Sequence, residues 1–173
     1  HAGQFDTVLN VEANGGLTAA KQGWQSGFGD TVETYRAKTT GDGAEAPAVI
    51  VQRMIDARAS GVAFSADPVS GQRGRVVISA IQGLGERLVS GEADGEDWAL
   101  DAEGQVVVAP KAPEALSAEE ARAVADLARR AEAGFGQPQD IEWAMDDKGL
   151  HILQARPITT ALLPAAQPDA TLT

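Results

Sequence analysis

The chain has 173 residues and a formal net charge of −11. A surface this acidic repels nucleic-acid phosphates, no apolar run approaches the roughly 18 residues that cross a bilayer, and the lack of cysteine excludes disulfides and thiolate metal sites. What is left is a chain long enough for one domain with a real core, without a nucleic-acid or membrane partner, in which any bound polyphosphate needs locally placed cations. It opens on His1 rather than methionine, directly in motif-like sequence, the expectation for a piece of a longer polypeptide.

In chain order, His1 to Val11 reads as a small-residue loop running into an apolar stretch. Leu17 to Phe28 and Asp30 to Lys38 read as two short helices, the first from Leu17, Ala20, Lys21 and Trp24 at helical spacing, the second with Asp30 as N-cap and Glu33 at N3. Trp24, Phe28 and Tyr35 are expected in the core. After a turn-rich loop over 39–47, Ala48 to Ile55 (AVIVQRMI) is an almost unbroken apolar run, as in a strand buried on both faces, in which Gln52 needs a partner from a strand or a ligand. Gly61 to Ala66 and Arg75 to Ile81 read as strands around a tight turn at Asp67, a residue expected there for its backbone hydrogen bonds. Gly83-Leu84-Gly85-Glu86 lacks the third glycine and the βαβ setting of a dinucleotide fingerprint. Asp97 to Leu100 and Gln105 to Val108 form a second candidate hairpin. Ser117 to Ala133 is the clearest helix, with a Ser117–Glu120 capping box, a stripe of Ala121, Val124, Leu127, Ala128 and Ala131, and Gly134 as its left-handed stop.

The stretch that carries chemistry is Gln139 to Pro157. Two alternating segments flank Asp147-Lys148-Gly149, which suits a three-residue hairpin loop. With Asp146 opposite Leu150, Ala144 faces Ile152 and Glu142 faces Gln154. One sheet face then carries Glu142, Ala144, Ile152, Gln154 and Arg156; the other, a core face, carries Ile141, Trp143, Met145, Leu153 and Ala155, with His151 near the turn. A carboxylate and an amide oxygen suit a hard cation such as Mg²⁺, and a guanidinium suits phosphate. From the residues alone, two readings stay open: a metal–polyphosphate site, or a solvated face with a surface Glu–Arg pair.

The stretch DIEWAMDDKGLHILQARPIT, from Asp140 to Thr159, resembles the closing signature of the ATP-binding domain in the pyruvate, phosphate dikinase and phosphoenolpyruvate synthase family, which includes rifampin phosphotransferases. AGQFDT at Ala2 to Thr7, VQRM at Val51 to Met54, SGVAFSADPVSG at Ser60 to Gly71 and GLGE at Gly83 to Glu86 are similar to further family segments, so the likeness spans Ala2 to Thr160. It implies an α+β fold, the carboxy-terminal lobe of an ATP-grasp domain, with a mainly antiparallel sheet and flanking helices. By it, 1–47 lead into the lobe, 48–160 form the lobe and 161–173 are a linker.

The same resemblance implies ATP and Mg²⁺ as cofactors, with the metal on Glu142 and Gln154 and the phosphates on Arg156, so that Glu142 and Arg156 act in catalysis. Gly3 would approach the phosphates through its backbone, Thr7 would supply a hydroxyl, and Gln52 would pass the adenine. Glu86 is either a surface residue or a further acidic group near the metal. The implied partners are an amino-terminal lobe and a swivelling phosphohistidine domain of the same polypeptide, in a cytoplasmic setting. The alternative role is a non-catalytic relic of the fold used in regulation or assembly.

Overall fold

A computed structural model describes residues 6–27, 48–89, 91 and 93–159, without the Val89 side chain. They fall into two compact units, one up to Met54 and one from Ile55 on. The expected second helix, the loop over 39–47, Gly3, Phe28, Tyr35 and the linker lie outside the described residues.

In the first unit, helix α1 spans Gly16–Ser26. None of its residues is buried, and Trp24, expected in the core, is 46% exposed. The run from Ala48 on also departs from expectation. It forms no strand, and Ile50 and Val51 are 87% and 90% exposed. An apolar run becomes a doubly buried strand only when neighbours pair with both of its edges, and no described strand pairs with this one.

The second unit is built on six strands: β1 (Ala59–Ala66), β2 (Arg73–Gln82), β3 (Glu96–Leu100), β4 (Val106–Val108), β5 (Gln139–Asp146) and β6 (Gly149–Pro157). They form one sheet in the order β4-β3-β2-β1-β5-β6, every adjacent pair antiparallel. With helix α2 (Glu86–Val89) and helix α3 (Ala118–Phe135), the unit is α+β, as the sequence implies. The turn after β1 is held as expected, with Asp67 Oδ1 accepting from the backbone N–H groups of Val69 and Ser70 at 2.9 and 3.1 Å.

Helix α3 covers one sheet face. Its stripe of Ala121, Val124, Ala125, Leu127, Ala128 and Ala131 meets Ile78, Leu100, Ile141 and Trp143 in a continuous core. The capping box is in place: Ser117 Oγ accepts from Glu120 N–H at 3.2 Å, and Glu120 Oε2 accepts from Ser117 N–H at 2.8 Å. The helix runs past Gly134, however, and stops at Gly136, whose φ of 71° is the left-handed turn assigned by sequence to Gly134. Gly136 N–H still reaches the Glu132 carbonyl, so the last turn closes two residues later. Ser117→Ala removes the cap and is expected to lower unfolding free energy by about 1 kcal/mol, measurable by urea titration. Glu120 adds a pH dependence. The Ser117 backbone bond, opposed by burial, leads the interactions that hold its carboxyl below the usual range, helped by the Ser117 hydroxyl and Arg58. That stability is present above the unfolded carboxylate value and is lost as pH falls through the lower folded value.

Candidate functional site

The opposite sheet face is built by strand alternation. In β1 and β2, positions 62, 64, 77 and 79 are half-buried between fully buried neighbours. The pairing lines them up in two rows across the strands. One runs Ser79, Val62, Glu142, Gln154; the next runs Val77, Phe64, Asp140, Arg156. Directly paired residues project to the same side, so polar groups of β5 and β6 adjoin Val62, Phe64 and Val77, with Ser79 at the far end of its row.

The pairing of Glu142 with Gln154 matches expectation, but two departures from the expected register cancel to produce it. Asp146 Oδ1 accepts from Lys148 N–H, Gly149 N–H and His151 Nε2 at 2.9, 3.0 and 2.9 Å. This local carboxylate turn draws Gly149, with φ of 135°, opposite Asp146. The loop is therefore two residues, Asp147 and Lys148, rather than three. Ala144 consequently faces His151, and Trp143 faces Ile152, instead of Ala144 facing Ile152. A bulge then absorbs Leu153, and pairing resumes with Glu142 opposite Gln154. His151 is corrected as well: its bond to Asp146 puts it on the side of Ala144 and Asp146, away from the core face. The His151 bond is also the largest influence holding the Asp146 carboxyl below its ordinary range.

The three side chains at the centre converge. Arg156 Nη2 donates to Glu142 Oε1 at 2.8 Å and to Gln154 Oε1 at 2.8 Å. The Glu142 and Arg156 side chains are 30% and 29% exposed, which leaves them open to a ligand from solvent. Both oxygens thus lie within hydrogen-bond reach of one guanidinium nitrogen. A carboxylate and an amide oxygen fit Mg²⁺, which takes one or two protein oxygens and completes its shell from phosphate and water. No trio of His, Cys, Asp or Glu gathers as a metal cage among the described residues.

Asp140 belongs to this face and was not singled out from the sequence. Its parity in Asp140-Ile141-Glu142 is the signal that finds it, since every second residue of a strand shares a side. Burial raises its carboxyl above the ordinary value; the Arg156 charge pulls it back and the Glu142 charge adds to the rise. Its Oδ1 is buried without a hydrogen-bond partner. A carboxyl raised on folding disfavours the fold above its folded value, and the penalty disappears below the unfolded value. Asp140→Asn is therefore expected to raise the thermal midpoint at neutral pH and to lose that advantage in acid, a comparison that calorimetry at two pH values makes directly.

Of the remaining predicted site residues, Thr7 and Gln52 are exposed members of the first unit, and Glu86 is exposed on α2. Gly3 lies outside the described residues.

Fold and site together define an α+β domain that presents two oxygens and a guanidinium on one face of an antiparallel sheet. A family profile described as the pyruvate phosphate dikinase AMP/ATP-binding domain matches residues 1–115 and 101–171. A rifampicin phosphotransferase from Streptomyces is 39% identical over 97% of this chain and 22% of its own length. A prodigiosin synthesizing transferase from Serratia marcescens is 34% identical over 92% of this chain and 21% of its own length. A probable phosphoenolpyruvate synthase from Methanothermobacter thermautotrophicus is 34% identical over 92% of this chain and 27% of its own length. The chain belongs to the pyruvate phosphate dikinase AMP/ATP-binding family, and it spans roughly a quarter or less of the length of these curated relatives.

Proposed function

We propose that the chain is the ATP- and Mg²⁺-binding lobe of a dikinase-type phosphotransferase, with the architecture of an ATP-grasp carboxy-terminal lobe. The observation that carries this reading is the bridge from Arg156 to both Glu142 and Gln154 on a half-open sheet face.

In this reading Glu142 and Gln154 hold the metal, and Arg156 binds the polyphosphate. The chemistry gained from Mg²⁺ at that place is neutralisation of phosphate charge. Arg156 adds a fixed guanidinium, always charged and planar, against the oxygens of the group being transferred. The family resemblance assigns Gly3 and Thr7 to the phosphates and Gln52 to the base. Positioning and electrostatics of this kind account for most of the catalysis in phosphoryl transfer. The phosphoryl group passes to a histidine on a swivelling domain of the same polypeptide. From there it goes to a small acceptor, either pyruvate or an antibiotic such as rifampicin. An amino-terminal lobe completes the clamp on ATP, so the chain by itself binds ATP weakly or not at all and is inactive.

Thermal unfolding of the full-length protein tests this. Mg-ATP at about a hundred times its Kd is expected to stabilise the nucleotide domain by roughly 2.7 kcal/mol; a midpoint indifferent to nucleotide would refute the reading. Calorimetry on the 173-residue chain alone is expected to find no micromolar affinity for Mg-ATP.

A further inference from the structure

The oxygens assigned to the metal are already in use. One nitrogen, Arg156 Nη2, lies 2.8 Å from Glu142 Oε1 and 2.8 Å from Gln154 Oε1. Bonds of that length are typical of a charged donor on a carboxylate. A divalent cation drawing both oxygens to the 2.0–2.1 Å that Mg²⁺ demands would need roughly the place this nitrogen occupies. Two positive charges do not share such a point, so cation and guanidinium exclude one another. We propose that Arg156 is an internal counter-ion that competes with the divalent metal for Glu142 and Gln154, and that a phosphate anion opens the metal position by drawing the guanidinium away.

The proposal rests on the metal reading of the site and adds its regulation. Arg156 has a third neighbour. Asp140 stands directly opposite it on β5, with one buried oxygen lacking a hydrogen-bond partner. Three side chains around Arg156 therefore offer oxygen, and two of them are carboxylates. While the guanidinium stays, it offsets that negative charge and keeps the paired oxygens in register. Once it turns to a phosphate, both oxygens face the incoming cation with their negative potential uncovered. Metal and polyphosphate then bind with positive coupling, which is reciprocal by linkage, and free metal ions in the absence of nucleotide are held weakly. Selectivity follows from the same contact, because a cation arriving alone meets a competitor and one arriving with phosphate does not.

The test uses Mn²⁺ as the probe, with free ion read by electron paramagnetic resonance, on full-length wild type, Arg156→Met and Glu142→Ala, each checked for folding by circular dichroism. Without nucleotide, Arg156→Met is expected to bind Mn²⁺ about threefold to fivefold more tightly than wild type, the range of a partly exposed ion pair removed. Inorganic phosphate is expected to tighten Mn²⁺ binding to wild type and to leave Arg156→Met unchanged. Arg156→Gln takes the place of the methionine variant if that one unfolds. A folded Arg156 variant that binds Mn²⁺ no better than wild type, or a wild type that phosphate does not tighten, overturns the competition. Glu142→Ala separates the two levels. If it abolishes Mn²⁺ binding while the Arg156 variants stay at wild-type affinity, the metal site stands and the counter-ion role falls; if it leaves binding intact, the metal reading itself is wrong.

Discussion

Glu142→Ala is expected to slow phosphoryl transfer by the full-length protein by about two orders of magnitude or more, the scale of losing one preorganised electrostatic contact to the reacting group. The effect is large because, among the described residues, Glu142 is the carboxylate bonded to Arg156, and its companion there is the neutral amide oxygen of Gln154. In the proposed function, removing the carboxylate takes away an oxygen assigned to the metal and leaves the guanidinium held by Gln154 alone. Stability is expected to change little, since the side chain lies on the half-open face and its ion pair is partly solvated. Labelled phosphate transferred from ATP to the histidine proposed as its acceptor, measured beside the unfolding midpoint, separates the two effects. Full transfer by the variant would favour a domain retained for assembly rather than catalysis.

Gly61→Ala is expected to produce the largest loss of stability, about 3 kcal/mol or more, and to prevent accumulation of folded protein if the margin is ordinary. Gly61 sits in the central strand β1, paired with Ala80 on one side and Trp143 on the other. A Cβ there would overlap the Ser79 carbonyl oxygen and come to 3.0 Å of Ala80 Cα. Those are backbone atoms, which have no rotamer into which to retreat. Relief would mean separating β1 from β2 or pushing on Trp143, which is fully buried in the core. Urea unfolding measures the loss; a variant within about 1 kcal/mol of wild type would show that the strands can part at this point without the cost expected of an overpacked core.

Much of the second unit was legible because its signals are local. Ser117 and Glu120 lie within one helical turn, and the α3 stripe repeats at the helical period, so both could be read from spacing. Asp67 announced its turn in the same way. The stop of α3 was misplaced because Gly134 and Gly136 are both capable of it, and the choice depends on where Pro138 and β5 must begin. Ala48 to Ile55 misled for a different reason: composition shows that a segment is suited to burial, whereas burial itself requires neighbours. Trp24 is a second instance of the same limit.

The site divides along the same line. Strand parity and the hairpin register together put Glu142, Gln154 and Arg156 on one side. That grouping survives because the shorter loop and the bulge offset each other, whereas Ile152, expected on the same side, faces Trp143. The order of residues thus determined the strands, the long helix and the chemical character of one sheet face, because alternation, capping and turn bonding act over a few positions. Tertiary pairing alone decided which strands adjoin, where Leu153 is accommodated, that Asp140 is pressed into a poorly solvated place, and that a single guanidinium nitrogen serves two oxygens. Those outcomes depend on contacts between residues far apart in the chain, whose energies no short stretch contains.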